Sequence, residues 1–275
     1  MNNEKMPIVV TVNQQKGGVG KSTLVKLLTN HLALEKDKKV LNIDGDYSGY
    51  LTHLYGVFDA EGHIGELFKT KDNDEEVDNI KYHEVHENIN LITYDSRLND
   101  KEKKLLGEEQ ISFILMRWVG RNEAKLSEYD YIIIDTHNDF ELFTKNAIAI
   151  SEVVLAPLDP SDNEEFVTTR MEYEFNKFKK SLIEPISGKS YVQAQLYTLG
   201  NQIKHNFSDD QNFLEKLKKR NDYLTYFKHK SLIIKASKNI KTMEELMGKE
   251  KSKHKEFYDS YKIAMEKIEN VIDQN

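Results

Sequence analysis

The sequence predicts an α/β fold, in which a mostly parallel twisted sheet carries helices on both faces. Two observations predict it. Short, continuously apolar segments alternate with longer segments of helical periodicity. Strands that are apolar on both faces are typical of parallel sheets covered on both sides. The predicted strands are residues 8–12, 40–43, 90–94, 131–134, 153–156 and 192–199, with a further strand at 225–227.

A glycine-rich loop and a helical pattern follow the first predicted strand. Glycines let backbone N–H groups converge on phosphate oxygens, and a helix N-terminus attracts anions. A lysine at the end of such a loop adds positive charge beside the β- and γ-phosphates, and the next hydroxyl suits Mg²⁺. The sequence therefore predicts a nucleotide-phosphate site made of Lys16, Gly17, Gly18, Val19, Gly20, Lys21, Ser22 and Thr23.

Single carboxylates end two of the other strands. Asp44 follows the strand at 40–43, and Asp135 follows the strand at 131–134. In an open parallel sheet, ligands bind at the carboxyl ends of the strands. We therefore expect both carboxylates near the glycine loop. Residues 129–136 resemble a Walker B strand, and this resemblance implies that Asp135 holds Mg²⁺ through a bound water, together with Ser22.

The run from Lys16 to Thr23 resembles the deviant Walker A box of the ParA/MinD group of P-loop ATPases. The resemblance implies a P-loop NTPase fold and ATP with Mg²⁺ as cofactors. It also implies catalytic roles for Lys16, Lys21 and Asp44. In that group the early lysine reaches the nucleotide of a dimer partner, and the carboxylate at the position of Asp44 helps to orient the attacking water.

Two loops depart from the pattern of that group. Tyr47-Ser48 stand where Pro-Gln is usual after the second carboxylate box, and His137-Asn138 stand where proline is usual. Both loops would sense the γ-phosphate, so the departures concern switching and turnover more than binding. We expect His137 to be solvated or bonded to backbone.

The resemblance also predicts nucleotide contacts at the ends of later strands. Pro157 ends the strand at 153–156, and Asn201 follows the strand at 192–199. We expect Pro157 to contact the nucleotide, and Asn201 or Gln202 to read the adenine edge.

Charge is divided unevenly along the chain. Residues 1–169 carry a net charge of −13, and residues 170–275 carry +6. An excess of lysines in an acidic protein indicates a face that meets a polyanion. The predicted contacts to non-specific DNA are Lys177, Lys180, Lys189, Lys216, Lys219, Arg220 and Lys238.

The C-terminal segment predicts a helix over residues 253–272 with one apolar stripe. Residues 255–275 have three lysines against five acidic residues, a balance that opposes binding to an anionic membrane. We expect this helix to pack on a single P-loop ATPase domain spanning residues 1–275. Zero cysteines exclude thiolate metal sites and iron–sulfur chemistry, and favour a cytoplasmic location.

The sequence thus predicts a small ParA-type ATPase without an N-terminal helix-turn-helix region. Its ATP-bound homodimer would bind nucleoid DNA, and a centromere-binding (ParB-type) adaptor would stimulate an otherwise slow hydrolysis. Three alternatives stay open. They are a MinD-like positioning ATPase, a bacterial tyrosine kinase of this fold and a nucleotide-gated scaffold with little turnover.

Overall fold

The structure, a computed structural model, describes residues 5–58, 61–69, 79–161 and 164–274, with backbone alone for 164–169. These residues form an eight-stranded sheet of order β3-β4-β2-β5-β1-β6-β7-β8. Every neighbouring pair is parallel except β3 and β4. The strands are β1 (Ile8–Val12), β2 (Val40–Gly45), β3 (His83–His86), β4 (Ile89–Ile92), β5 (Tyr131–Thr136), β6 (Val153–Leu158), β7 (Gln195–Ile203) and β8 (Tyr223–Lys228).

Helices cover both faces of this sheet. The α-helices of the described residues are α1 (Lys21–Asn30), α2 (Tyr50–Leu54), α3 (Leu98–Leu105), α4 (Ile114–Arg121), α5 (Glu123–Leu126), α6 (Leu142–Ala149), α7 (Glu164–Ser181), α8 (Ser208–Leu217), α9 (Ser231–Ser237), α10 (Met243–Met247) and α11 (Lys255–Asp273). Apolar residues of α1, α2, α9, α10 and α11 share one core cluster. Those of α3 to α8 pack on the other face. The predicted α/β fold is confirmed.

Two elements differ from the sequence prediction. The polar strand β3 pairs with β4 through a tight turn, and its alternation is too weak to predict a strand. Strand β7 starts three residues later than predicted and runs through Ile203, so Asn201 and Gln202 lie within it. Its pairing with β8 is irregular between Gly200 and Ile203, and Gln202 has a φ of 59°.

The register of the central strands places the acidic side chains beside the glycine loop. Val12, the last residue of β1, pairs with Asp135 of β5, and Asp135 pairs with Asp44 of β2. The carboxyl ends of β1, β2 and β5 are therefore adjacent, because β5 lies between the other two strands.

The C-terminal helix α11 packs on the same face as α1. Its buried stripe includes Phe257, Tyr261 and Ile268. Its residue Glu269 accepts a hydrogen bond from the Lys36 ammonium at 2.7 Å and lies 3.2 Å from Nε2 of His31. His31 begins a short π-helical segment that follows α1. The extent of the domain stays a prediction.

Candidate nucleotide-binding site

The glycine loop connects β1 to α1, as the sequence predicts. Gly18 has a φ of 82° and Gly20 a φ of 92°, a left-handed region that glycine adopts without steric cost. Gly20 occupies the N-cap position of α1 and has no side chain to cap the helix. The first N–H groups of this helix therefore remain available to an anion, which is the arrangement of a phosphate-binding loop.

Two side-chain amides near the end of β7 bind the glycine loop through its backbone carbonyls. The Asn201 amide donates to the carbonyl of Val19 at 2.7 Å, and the Gln202 amide donates to the carbonyl of Gly18 at 3.0 Å. The N–H and C=O of a trans peptide point in opposite directions. Fixing these two carbonyls toward β7 therefore turns the next N–H groups, those of Val19 and Gly20, away from it.

These bonds give Asn201 a role that the sequence does not reveal. Its side-chain nitrogen donates to the Val19 carbonyl, and its side-chain oxygen accepts from the backbone N–H of Gln202 at 2.9 Å. The expected reading of an adenine edge stays a prediction, whereas the contact present is with the phosphate loop. Pro157 is buried within β6, and its contact with a nucleotide also stays a prediction.

Lys21 and Ser22 begin α1 and are both buried. Burial lowers the pKa of Lys21, while the carboxylates of Asp135, Asp46 and Asp139 act in the opposite direction. The ammonium group thus lies in a low-dielectric site beside several carboxylates, where one positive charge acts strongly on a phosphate.

Asp135 is fully buried, and neither carboxylate oxygen accepts a hydrogen bond of normal geometry from the described residues. Burial raises its pKa, as does the neighbouring Asp44, whereas the Ser22 hydroxyl and Lys21 oppose the rise. A buried carboxylate with unused lone pairs beside a hydroxyl fits Mg²⁺ held through water. Among the described residues, no three acidic or imidazole groups form a metal cage of their own, and Mg²⁺ in phosphate sites does not need one.

Asp44 is also fully buried, but its oxygens are occupied. The backbone N–H and the hydroxyl of Thr52 donate to Oδ2 at 2.8 and 2.6 Å, and the N–H of Asp46 donates to Oδ1 at 3.2 Å. Burial raises the pKa of Asp44 to about 7. The expected water-orienting role of Asp44 stays a prediction, but these contacts make it an anchor between β2 and α2.

Asp46, two residues later, is also largely buried, with 12% of its side chain exposed. Burial would raise its pKa, but hydrogen bonds from His137 and Ser48 outweigh that effect and hold the pKa below its ordinary value. Asp46 also acts electrostatically on Lys21. It is therefore an ionised acceptor near Lys21, and no pattern in the sequence favours it over Asp44.

His137 is bonded on both ring nitrogens to side chains, contrary to the sequence expectation. Nδ1 lies 2.9 Å from Oδ1 of Asp46, and Nε2 lies 2.5 Å from the hydroxyl of Tyr47. The Tyr47 and His137 rings also contact each other, with centroids 3.8 Å apart. Tyr47 and His137, two of the four residues that depart from the expected family pattern, thus touch each other.

Lys16 lies across the loop that follows β6. Its ammonium donates to the hydroxyl of Ser161 at 2.7 Å and lies 3.3 Å from Oδ1 of Asp159. In the single chain, this lysine therefore has partners within its own subunit, whereas the sequence resemblance assigns it to a partner's nucleotide.

The predicted DNA contacts do not share one face. Those on α7, on α8 and in the segments that follow them lie on one side of the sheet, while Lys238 follows α9 on the other. Arg220 forms two bonds with Asp222, at 2.8 and 2.9 Å, and one with Glu172 at 3.1 Å. Lys177, Lys180, Lys189, Lys216 and Lys219 are exposed.

Comparison with known proteins agrees with this geometry. Residues 7–185 match the model of a family described as AAA domain. The chain belongs to this AAA-domain family. It is 28% identical over 150 residues to the chromosome partitioning protein ParA of Myxococcus xanthus, covering 54% of this chain and 51% of ParA. The predicted resemblance to the ParA/MinD group is confirmed.

Solved structures show the same fold. A plasmid partition protein from Borrelia burgdorferi superposes with a TM-score of 0.68 at 24% identity, over 86% of this chain and 96% of that one. A complex of Cyanothece McdA with ATP gives 0.74 at 19% identity, over 98% and 97%. Identities this low establish the fold alone. The chain spans between half and three-fifths of the length of the first curated relatives it matches.

Proposed function

We propose that this chain is an ATP- and Mg²⁺-dependent ATPase that partitions or positions a cargo, and in the finer form that it segregates DNA. The observation that carries the proposal is the glycine loop with buried Lys21 beside the buried carboxylate of Asp135. Related proteins carry partition functions in their names. The loop amides would hold the phosphates, and Ser22 and Asp135 would hold the cation.

Mg²⁺ held by Ser22 and Asp135 would neutralise part of the negative charge of the phosphates. The chain's own groups do the rest. Lys21 stabilises negative charge on the transferred phosphoryl group, because it acts in a buried site. Asp46 orients the attacking water, since phosphoryl transfer requires positioning more than basicity. Asp44 fixes α2 against β2 through Thr52.

Two matched substitutions test this division of roles. Asp46→Asn should lower kcat by about 100-fold while ATP affinity stays within about threefold. Asp44→Asn should act on folding stability and on both kinetic constants, because it alters an anchor rather than a reacting contact. If Asp44→Asn lowered kcat as much as Asp46→Asn and left folding stability unchanged, the water-orienting role would belong to Asp44.

Dimerisation on ATP follows from the second lysine. Leaving Ser161 and Asp159 would free Lys16 to neutralise charge on a partner's nucleotide. Size-exclusion chromatography with light scattering should show an ATP-dependent dimer that Lys16→Ala abolishes. A dimer equally stable without ATP would contradict this step.

DNA binding would use the five lysines of the predicted contacts that are exposed on α7 and α8 and in the segments that follow them. Each lysine that contacts a phosphate contributes about 0.9 to the slope of log affinity against log salt. A dimer doubles these contacts, which would make DNA binding depend on ATP. A ParB-type adaptor would then stimulate slow hydrolysis and release nucleoid DNA in the cytoplasm.

Binding to a random-sequence duplex across a salt series tests this surface. Lys177→Ala/Lys180→Ala should flatten the slope by up to about 4 in the dimer, because each subunit loses two contacts. Lys103→Ala/Lys104→Ala on α3 removes the same charge elsewhere and should leave the slope unchanged. ATP binding without DNA affinity would limit the function to positioning of a protein cargo.

A nucleotide-gated scaffold is the second candidate. Tyr47 and His137 occupy the two loops that would sense the γ-phosphate, and they bond to each other. ATP-dependent dimerisation with no measurable turnover, with or without a partner protein, would identify a scaffold.

Among the described helices, none has both the length and the apolar character of a membrane span.

A further inference from the structure

The loops after β2 and β5 are joined by a chain of side-chain hydrogen bonds. Asp46 and Tyr47 come from the first loop, and His137 comes from the second. The imidazole lies between them, 2.9 Å from the carboxylate and 2.5 Å from the phenol oxygen. Strand β5 is the direct neighbour of β1, which leads into the phosphate loop, and β2 lies on the other side of β5.

The partners determine which ring nitrogen carries the proton. An ionised carboxylate only accepts hydrogen bonds, so Nδ1–H donates to Asp46. A neutral imidazole then has Nε2 free as an acceptor, and the Tyr47 hydroxyl donates to it. This gives a directed chain from Tyr47 through His137 to Asp46, in which each group meets a partner of the right kind.

Further hydrogen bonds hold the two loops that carry this chain. The N–H of Ser48 donates to Oδ1 of Asp46 at 2.8 Å. On the other loop, the Asn13 amide donates to the carbonyls of His137 at 3.3 Å and Asp139 at 3.1 Å. Asn13 itself begins the phosphate loop, directly after β1. The chain therefore links all three loops of the nucleotide site.

Neither sensing loop contains a proline that would restrict its backbone, over residues 46–50 or 136–141. We propose that His137 and Tyr47 are positioning residues, which hold the Asp46 carboxylate in place and make the two loops move as one unit. The inference rests on the proposed ATPase function and specifies how this chain regulates turnover at that site. It predicts an effect on kcat rather than on nucleotide affinity.

Three substitutions separate the links of the chain in the full-length protein. Tyr47→Phe removes one neutral hydrogen bond and keeps the ring contact, so kcat should fall about threefold. His137→Ala removes both bonds, including the one to a charged group, so kcat should fall by about 10- to 100-fold. His137→Asn keeps an N–H donor at the position of Nδ1 and should recover most of that loss.

The measurement is kcat together with the ATP dissociation constant for each variant. Dissociation constants should stay within about twofold of the unsubstituted chain, because none of these side chains holds the phosphate loop directly. His205→Ala, at an exposed histidine before α8, controls for loss of an imidazole as such. Circular dichroism verifies that each variant is folded.

A histidine ¹⁵N NMR spectrum of the nucleotide-free protein above pH 8 supplies a readout independent of turnover. The His137 signals, assigned by their loss in His137→Asn, should show the Nδ1–H tautomer. Asp46→Asn should shift Nδ1, and Tyr47→Phe should shift Nε2. A solvated imidazole would show mainly the Nε2–H form and respond to neither substitution.

Three results would overturn the proposal. They are a His137→Ala kcat within twofold of the unsubstituted chain, an affinity loss as large as the kcat loss, or His137→Asn no better than His137→Ala. If the unsubstituted chain hydrolyses no ATP, the proposed ATPase function fails. The NMR spectrum then decides alone whether the hydrogen-bonded chain exists.

Discussion

The phosphate loop and the two sensing loops lie side by side, yet they are held in different ways. The phosphate loop is fixed through its backbone carbonyls by two amides of β7. The sensing loops are fixed to each other by the side chains of Asp46, Tyr47 and His137. Backbone binding of phosphate needs only glycines and a helix end, whereas the positioning of a reacting water depends on which side chains meet. We infer that binding is set by the first region and turnover by the second.

Removing the buried lysine should have the largest effect. Lys21→Ala should lower kcat/KM by at least about 100-fold, because its ammonium acts in a buried site next to Asp135. Lys16→Ala is the matched comparison, since it should preserve ATP binding by the single chain and remove dimerisation. Measured ATP affinities that fall equally in both variants would contradict the separation of roles.

The side-chain amides of Asn201 and Gln202 form an amide clamp on the phosphate loop. Removing one of them should have an intermediate effect, on nucleotide affinity alone. Asn201→Ala should weaken ATP and ADP binding by about tenfold, because the Val19 carbonyl loses its partner and the loop must be ordered on binding. Titration calorimetry with both nucleotides measures this. A change in kcat at constant affinity would break the comparison between the two regions.

Substitutions of two glycines in the phosphate loop provide a control for the amide clamp. A Cβ on Gly20 would clash with the Asn201 amide nitrogen, whereas a Cβ on Gly18 would meet no atom within 4 Å. Both residues have positive φ, so Gly18→Ala measures backbone strain alone. Affinity should fall further in Gly20→Ala than in Gly18→Ala.

The smallest effect concerns His31, a histidine outside the site. Burial lowers its pKa, but hydrogen bonds to Glu35 and Glu269 outweigh burial and raise the pKa above its ordinary value. This contribution to stability is fully present below the unfolded-state pKa, and it is lost as pH rises through the folded-state pKa. Denaturant unfolding from pH 6 to 9 should show this decline, and His31→Gln should reduce it without changing kcat. A decline that persists unchanged in His31→Gln would assign it to other groups.

The parts of the fold that follow from local pattern could be predicted from the sequence. Apolar strands, the glycine loop and the strand-end position of Asp135 depend on periodicity and on backbone geometry. The family resemblance assigns the water-orienting role to Asp44, but no local pattern reveals that the Thr52 hydroxyl, on α2, donates to this carboxylate. The sequence could also not predict the contact of Asn201, because the irregular end of β7 brings its side-chain amide to the glycine loop, which is distant along the chain.

The adjacent carboxylates of Asp44 and Asp135 have a consequence for the stability of the protein without ligand. They lie opposite each other on neighbouring strands, fully buried, and burial raises the pKa of each. Folding therefore brings two acidic groups together, which the nearby Lys21 ammonium compensates in part, and a metal cation that binds only the folded chain raises its melting temperature by mass action. Asp135→Asn should melt at a higher temperature than the unsubstituted chain in the absence of Mg²⁺, and should gain less when Mg²⁺ and ATP are added. In that sense the proposed metal site is a position where the sequence gives up stability in exchange for the capacity to bind.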